Sequence, residues 1–190
     1  MAAPEKAVAI DFGKTLVGDD AVGMLAKLLW EIREICQFND RGNQEPVVRT
    51  YMSYNAAATA WHMHEWFLKI LPEDRREELF KIVGAEGEKD YPIAVQRANG
   101  SLAICRQLAV AGKHVSVVRN REDITAEVHS KEHEGKTLVT VVIQWEGKSY
   151  YDYEVYVAAL KWWAELYVKL GYKHASYLSD AVAAMGEEEG

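Results

Sequence analysis

Arg106, Lys113 and His114 are the residues of this chain whose types and spacing best suit chemistry. A histidine changes charge near neutral pH and can serve as general acid or base. Arginine and lysine can hold a phosphate and stabilise negative charge developing on it. With an RNA 2′-hydroxyl as the nucleophile, such a set would cleave RNA without a metal. Arg106 and His114 are eight positions apart, about 2.2 helical turns or 80° around an ideal helix. They can face one cleft if the last turn relaxes at Gly112. The same residues also have a purely electrostatic use. Lys113 and His114 suit a helix C-terminus, and Arg106 suits an ion pair.

Other groupings fail on spacing. In Trp61-His62-Met63-His64-Glu65-Trp66 the two histidines are two apart, so a regular helix turns them about 200° from each other. Two metal ligands on one helix need positions i and i+4 with Glu between. The expectation is that His62 lies toward the core with Trp66 and that His64 faces another side. His129 and His133 have the four-residue offset but no obvious third ligand. No metal and no cofactor is expected. Asp11-Phe12-Gly13-Lys14-Thr15 resembles the nucleophile loop of haloacid-dehalogenase-like phosphatases, but Gly13 stands where that pattern needs its second aspartate. Gly13-Lys14-Thr15 also resembles the end of a P-loop, with Val8 in place of the first glycine of its phosphate cradle. No G-x-S-x-G occurs.

The elements that must position these residues follow from periodicity. Ala7 to Leu16 reads as an extended arm or edge strand. Val22, Leu25, Ala26, Leu29, Ile32 and Cys36 follow helical spacing and predict a helix over about 20–38. Pro46 suits the first turn of a second helix reaching about Leu71, with Val48, Tyr51, Met52, Asn55, Thr59, His62 and Trp66 as one stripe. A third helix runs from Pro72 to Gly84. A short one covers Pro92 to Ala98, and Asn99-Gly100-Ser101 restarts another that ends at Gly112. The period then changes to strand-like alternation at Val115, Val117, Ile124, Ala126 and Val128. A polar loop containing Gly135 is expected between Val128 and Thr137, followed by a hairpin over 137–151 turning at Glu146-Gly147. Asp152 caps a last long helix to about Leu170, with a wide aromatic stripe suited to a core. The fold class is therefore mainly α: a helical bundle with a small inserted antiparallel sheet at about 115–151, then a long C-terminal helix. Residues 1–185 are read as one domain and 186–190 as an acidic tail.

This helical order, with an Arg followed by a His at a helix end, resembles the HEPN superfamily of small α-helical domains. The family motif is R-x(4–6)-H; here seven residues, Gln107 to Lys113, intervene. Gln107 supplies the polar residue after the arginine. The Ala/Trp-rich segment 54–66 is similar to HEPN-like proteins of bacteria, as is the Lys113-His114 pair leading into a hairpin. The resemblance covers about residues 20–170 and implies a dimer. It implies one of two functions. One is a metal-independent ribonuclease of a toxin–antitoxin or phage-defence module, with Arg106, Lys113 and His114 in its site. The other is a silent relative acting as an interaction module.

Composition sets the limits. The chain of 190 residues carries 22 basic and 29 acidic side chains, a net −7, which argues against general DNA binding. Segment 97–121 nevertheless holds Arg97, Arg106, Lys113, Arg119 and Arg121 with no acid, so Arg97, Arg119 and Arg121 are candidate anion-binding residues and RNA a possible partner. Cys36 and Cys105 lie among apolar residues and read as buried free thiols of a cytoplasmic protein. No apolar run is long enough to cross a membrane. The reading reached first is a non-enzymatic interaction module or homodimer, with an aromatic surface near Tyr150, Tyr151, Tyr153 and Tyr156. A small-molecule pocket between bundle and hairpin, presenting Arg106, His114 and Trp145, is a third reading.

Overall fold

The structure is a computed structural model and describes residues 21–41, 45–111 and 124–172. The order is α1 (Ala21–Cys36), a 3-10 turn (Phe38–Arg41), α2 (Pro46–Ile70), α3 (Glu73–Val83), α4 (Tyr91–Ala98), α5 (Gly100–Ala111), β1 (Ile124–His133), β2 (Lys136–Trp145), β3 (Lys148–Tyr151) and α6 (Asp152–Lys169). The expected class is what forms: mainly helical, with one antiparallel sheet of order β1-β2-β3 and a long helix after it. The expected strand at Val115 and Val117, the arm Ala7 to Leu16 and the acidic tail lie outside the described residues.

Local signals account for most boundaries. Pro46 takes the first position of α2, where its missing N–H costs nothing. Gly84 ends α3 in the left-handed conformation, φ 72°. Asn99 closes α4, and its Oδ1 then accepts the backbone N–H of Leu102 at 3.2 Å to open α5. Gly100 lets Trp145 pack closely: a Cβ there would stand 3.1 Å from its ring carbons, so the indole would have to give by a few tenths of an ångström.

The polar loop expected between Val128 and Thr137 is instead a strand pair. β1 continues to His133, and Glu134-Gly135 turns the chain with φ of 50° and 76°. Two positive φ values make a tight hairpin turn whose twist matches the flanking strands. The alternation of Ile124, Ala126 and Val128 marks the start of β1, but past Val128 every residue is exposed, so no buried face imposes an apolar alternation there. Its Glu127, Lys131 and Glu132 suit an edge strand that discourages further pairing. In β2, Val139, Val141 and Ile143 alternate inward onto the bundle. Where β3 no longer covers β2, the Asn39 side chain does. Its Nδ2 donates to the Val139 carbonyl at 3.3 Å, and the Val139 N–H donates to its Oδ1 at 2.8 Å.

The core lies between α1, α2, α5 and α6. α1 contributes Leu25, Leu28 and Ile32, fully buried on one stripe. α6 contributes Val155, Tyr156, Leu160, Trp163 and Tyr167, which confirms the wide aromatic face as core. Trp163 Nε1 donates to the Ala60 carbonyl at 2.9 Å, so the largest core side chain is satisfied.

α2 is oriented differently from expectation. Its buried residues are Arg49, Ser53, Ala56, Ala57, Thr59, Ala60, Trp61, Met63, His64 and Phe67, of which only Thr59 belongs to the expected stripe. Of the apolar stripe Val48, Tyr51, Met52, only Met52 reaches the core, half-buried against it, while Val48 and Tyr51 are exposed. The physical reason is on α6. Asp152 accepts both guanidinium forks of Arg49, at 2.6 and 2.7 Å, in a pair buried on both sides. Ser53 and the Tyr156 hydroxyl share a hydrogen bond of 2.7 Å. Partnered in this way, polar residues occupy core positions that a hydrophobicity pattern assigns to the surface. The cap of α6 is therefore Tyr151, not the expected Asp152, which is the first residue of the helix and an ion-pair partner.

The histidine assignment reverses for the same reason. His64 is buried and His62 half-buried. His64 Nδ1 donates to the Trp61 carbonyl at 2.6 Å, since a carbonyl can only accept. Burial pushes the His64 pKa below the ordinary 6.5, partly opposed by that hydrogen bond. Of the two cysteines, Cys105 is buried as expected, but Cys36 is exposed at the end of α1.

Candidate functional site

α1 and α2 are joined by a polar clasp. Lys27 Nζ donates to Glu31 Oε1 on its own helix and to Thr59 Oγ1 across on α2. Farther along, the two helices leave room between them. Trp30, Glu31 and Glu34 of α1, Phe38 and Arg41 of the 3-10 turn, and Val48, Met52 and Asn55 of α2 enclose an open cavity of about 280 Å³. The spacings 30, 31, 34 and 48, 52, 55 are those that place residues on one helix face, so each helix presents one wall. Small-molecule pockets run from about 300 to 1,000 Å³. This cavity is therefore sized for one small group or a single large side chain, not for a dinucleotide.

Its walls are mostly apolar, from Trp30, Phe38, Val48 and Met52. At the rim, Arg41 meets Glu34 fork to fork, Nη1 to Oε2 at 2.6 Å and Nη2 to Oε1 at 2.8 Å. Those hydrogen bonds hold the Glu34 carboxyl below its usual range and the Arg41 guanidinium above its own. Glu31 differs, being only 7% exposed. Lys27 satisfies its Oε1, whereas Oε2 is buried and finds no hydrogen-bond partner among the described residues. Leaving a buried acceptor unpaired costs about 1–3 kcal/mol, more for a charged one.

Two of the lining residues are also exposed apolar side chains, Trp30 at 60% and Val48. Val47 and Tyr51, the latter 62% exposed, stand with Val48 on successive turns of α2.

The residues singled out by sequence do not gather here. Arg106 is half-buried on α5, and Gln107 beside it is buried. Lys113, His114, Arg119 and Arg121 lie outside the described residues. Arg97 is exposed, and its Nη2 pairs with Asp90 at 3.0 Å, so its charge is already partnered. The proposed tyrosine surface divides. Tyr156 is core, fully buried, with burial pushing its hydroxyl pKa up. Tyr151 is exposed and stacks on Tyr153 with ring centroids 6.0 Å apart. Trp145 packs over the start of α5 at Gly100, and the cavity lies between α1 and α2 rather than between bundle and hairpin. Among the described residues no group of three or more His, Cys, Asp or Glu is placed to hold a metal ion, and no helix is long and apolar enough to cross a membrane. His129, on exposed β1, lies 3.4 Å from Glu127.

The α1–α2 site had a signal in the sequence, the stripe Val48, Tyr51, Met52, Asn55. Trp30 and Glu31 had none, because they interrupt no pattern in α1. No protein-family model, curated protein or solved structure matches the chain.

Proposed function

We propose that this protein is a non-enzymatic interaction module of HEPN-like type that docks through the α1–α2 face. The observation supporting this reading is the exposure of Trp30 and Val48 at an open cavity that both line, with Val47 and Tyr51 exposed on the same helix as Val48. Apolar residues exposed singly are ordinary. Several together around a concavity mark interaction sites, and Trp and Tyr supply most binding hot spots. The cytoplasm, where free thiols persist, is the setting proposed for it. The test is affinity capture and sedimentation with the wild-type chain and with Trp30→Ala/Tyr51→Ala. The reading predicts association by the wild type that the double variant loses. A wild type that associates with nothing, or a double variant that associates equally well, contradicts it.

A second reading, the metal-independent ribonuclease, draws on one observation. Among the described residues Arg106 has no carboxylate at ion-pair distance, so the structural ion pair that would occupy it is not seen. It predicts RNA cleavage in EDTA that His114→Ala and Arg106→Ala both abolish. Absence of cleavage, or equal cleavage by the variants, ends it.

A further inference from the structure

α4 packs on α3 and α5, and it reaches α2 through the Tyr91 ring at its first position. Tyr91 is fully buried. Its ring stands 6.2 Å from the His64 imidazole, centroid to centroid, and 5.6 Å from Phe80 of α3. His64 in turn rests on Trp61, one turn back on α2, at 4.1 Å. Trp61, His64 and Tyr91 thus form a seam between α2 and α4, and near neutral pH one member of it can become charged.

The seam holds nothing ready to receive that charge. His64 Nδ1 donates to the Trp61 carbonyl, so a second proton enters at Nε2. No carboxylate lies at ion-pair distance from His64 among the described residues. Tyr91 turns toward the seam a neutral ring, and its buried hydroxyl has no hydrogen-bond partner among the described residues. On α2, exposed Glu65 favours the proton and His62 opposes it, and burial outweighs both. At α4, Asp90 and Arg97 are engaged with each other at 3.0 Å. Attraction between an imidazolium and the neighbouring aromatic rings returns only part of what the charge loses on leaving water. α4 is also free to respond as a unit. It has eight residues, preceded by Gly84 in the left-handed conformation and a loop over 85–90, and followed by Asn99 in the extended one. Short elements bounded by loops can open apart from global unfolding.

We infer that the His64–Tyr91 contact is an acid-sensitive latch: protonation of His64 releases α4 from α2 while the rest of the bundle stays folded. Linkage sets the direction. In the closed state the buried ring resists the proton, and in the open state it takes it at the ordinary 6.5. The closed state is therefore favoured above about pH 6.5 and loses ground as the pH falls. At pH 5, one proton taken up in this way can raise the open fraction by at most about 30-fold. The latch lies on the inward side of α2 and is independent of the docking face.

Hydrogen–deuterium exchange of the full chain, read by mass spectrometry, tests the latch. Peptides covering α4 and α6 are followed at pH 7.5 and pH 5, with each rate corrected for intrinsic exchange. The open fraction of α4 is expected to rise about 3- to 30-fold at pH 5, and α4 is expected to exchange at least about tenfold faster than α6 there. His64→Phe keeps a ring but cannot take a proton, so it should abolish the rise. His64→Gln serves the same purpose should the first variant fail to fold, with circular dichroism as the check. His62→Gln should keep the rise. The inference is overturned if the open fraction of α4 is the same at both pH values, or if the His64 variants keep the rise. It is equally overturned if His62→Gln loses the rise, which would put the proton on His62. Equal protection of α4 and α6 at pH 5 would mean that α4 opens only with the whole bundle, and a rise well above 30-fold would require more protons than His64 can bind; either result also ends it.

Discussion

The two faces of α2 make opposite use of polarity. The inward face carries Arg49, Ser53 and His64, yet it is buried, because Asp152, Tyr156 and the Trp61 carbonyl partner them. The outward face carries Val47, Val48 and Tyr51, yet it meets solvent beside Trp30. A helix whose apolar residues formed one stripe toward the core would show the reverse. The difference teaches that partnership, not polarity alone, decides which face can be buried. It also isolates the outward face as the part whose composition its own fold does not explain.

Breaking the inward face should produce the largest effect. Arg49→Met leaves the Asp152 carboxylate buried without its guanidinium. The expected loss of stability is about 3–5 kcal/mol, read from the shift of a urea unfolding curve. Replacing both partners in Arg49→Met/Asp152→Leu should recover most of that loss, since no charge is then left stranded. A single variant as stable as wild type would show that the pair does not hold the face inward.

A smaller effect is expected from His64. The unfolded chain takes up its proton near 6.5, whereas the buried ring resists it, so its folded pKa is lower. Its contribution is therefore fully present above the unfolded pKa and declines as pH falls below it. Unfolding free energies measured between about pH 7 and pH 5 should decline less in His64→Phe than in wild type. Equal slopes would mean that His64 takes its proton as readily folded as unfolded.

The smallest effect on stability belongs to the outward face. Trp30→Ala and Tyr51→Ala should change the unfolding free energy of the monomer by no more than about 0.5 kcal/mol. Unfolding measured under dissociating dilution checks this. A loss comparable to that of Arg49→Met would make these residues part of the core and remove the contrast between the faces.

Much of the fold was legible in the sequence. Pro46, Gly84, Asn99 and Glu146-Gly147 each punctuate the chain where their backbone chemistry demands it, and the wide aromatic stripe of α6 is core. What escaped shares one cause. The Arg49–Asp152 and Ser53–Tyr156 contacts each join residues 103 positions apart, so no local pattern announces that these polar groups are satisfied. Without them, α2 reads with its Val48–Tyr51–Met52 stripe inward. The far half of β1, past Val128, escaped because an exposed edge strand has no buried face to write a period of two into its residues. The candidate site was half visible. Its α2 wall was noticed and turned the wrong way, and its α1 wall, Trp30 and Glu31, is recognisable only once the helices are placed together. Arg106 was found where helical spacing puts it, but the residues meant to complete its site lie outside the described ones.

The most direct measurement of the central claim compares two indoles in one sample. Trp163 Nε1–H is bonded to the Ala60 carbonyl in the core, and Trp30 is exposed on the docking face. Nitrogen-15 spectra of the indole N–H groups, assigned with Trp30→Phe, are recorded for the chain alone and with the partner that affinity capture returns. The account predicts that the Trp30 resonance shifts and its exchange with water slows in the complex, while Trp163 stays fixed. A Trp30 signal that keeps its position and its fast exchange in the complex would contradict it.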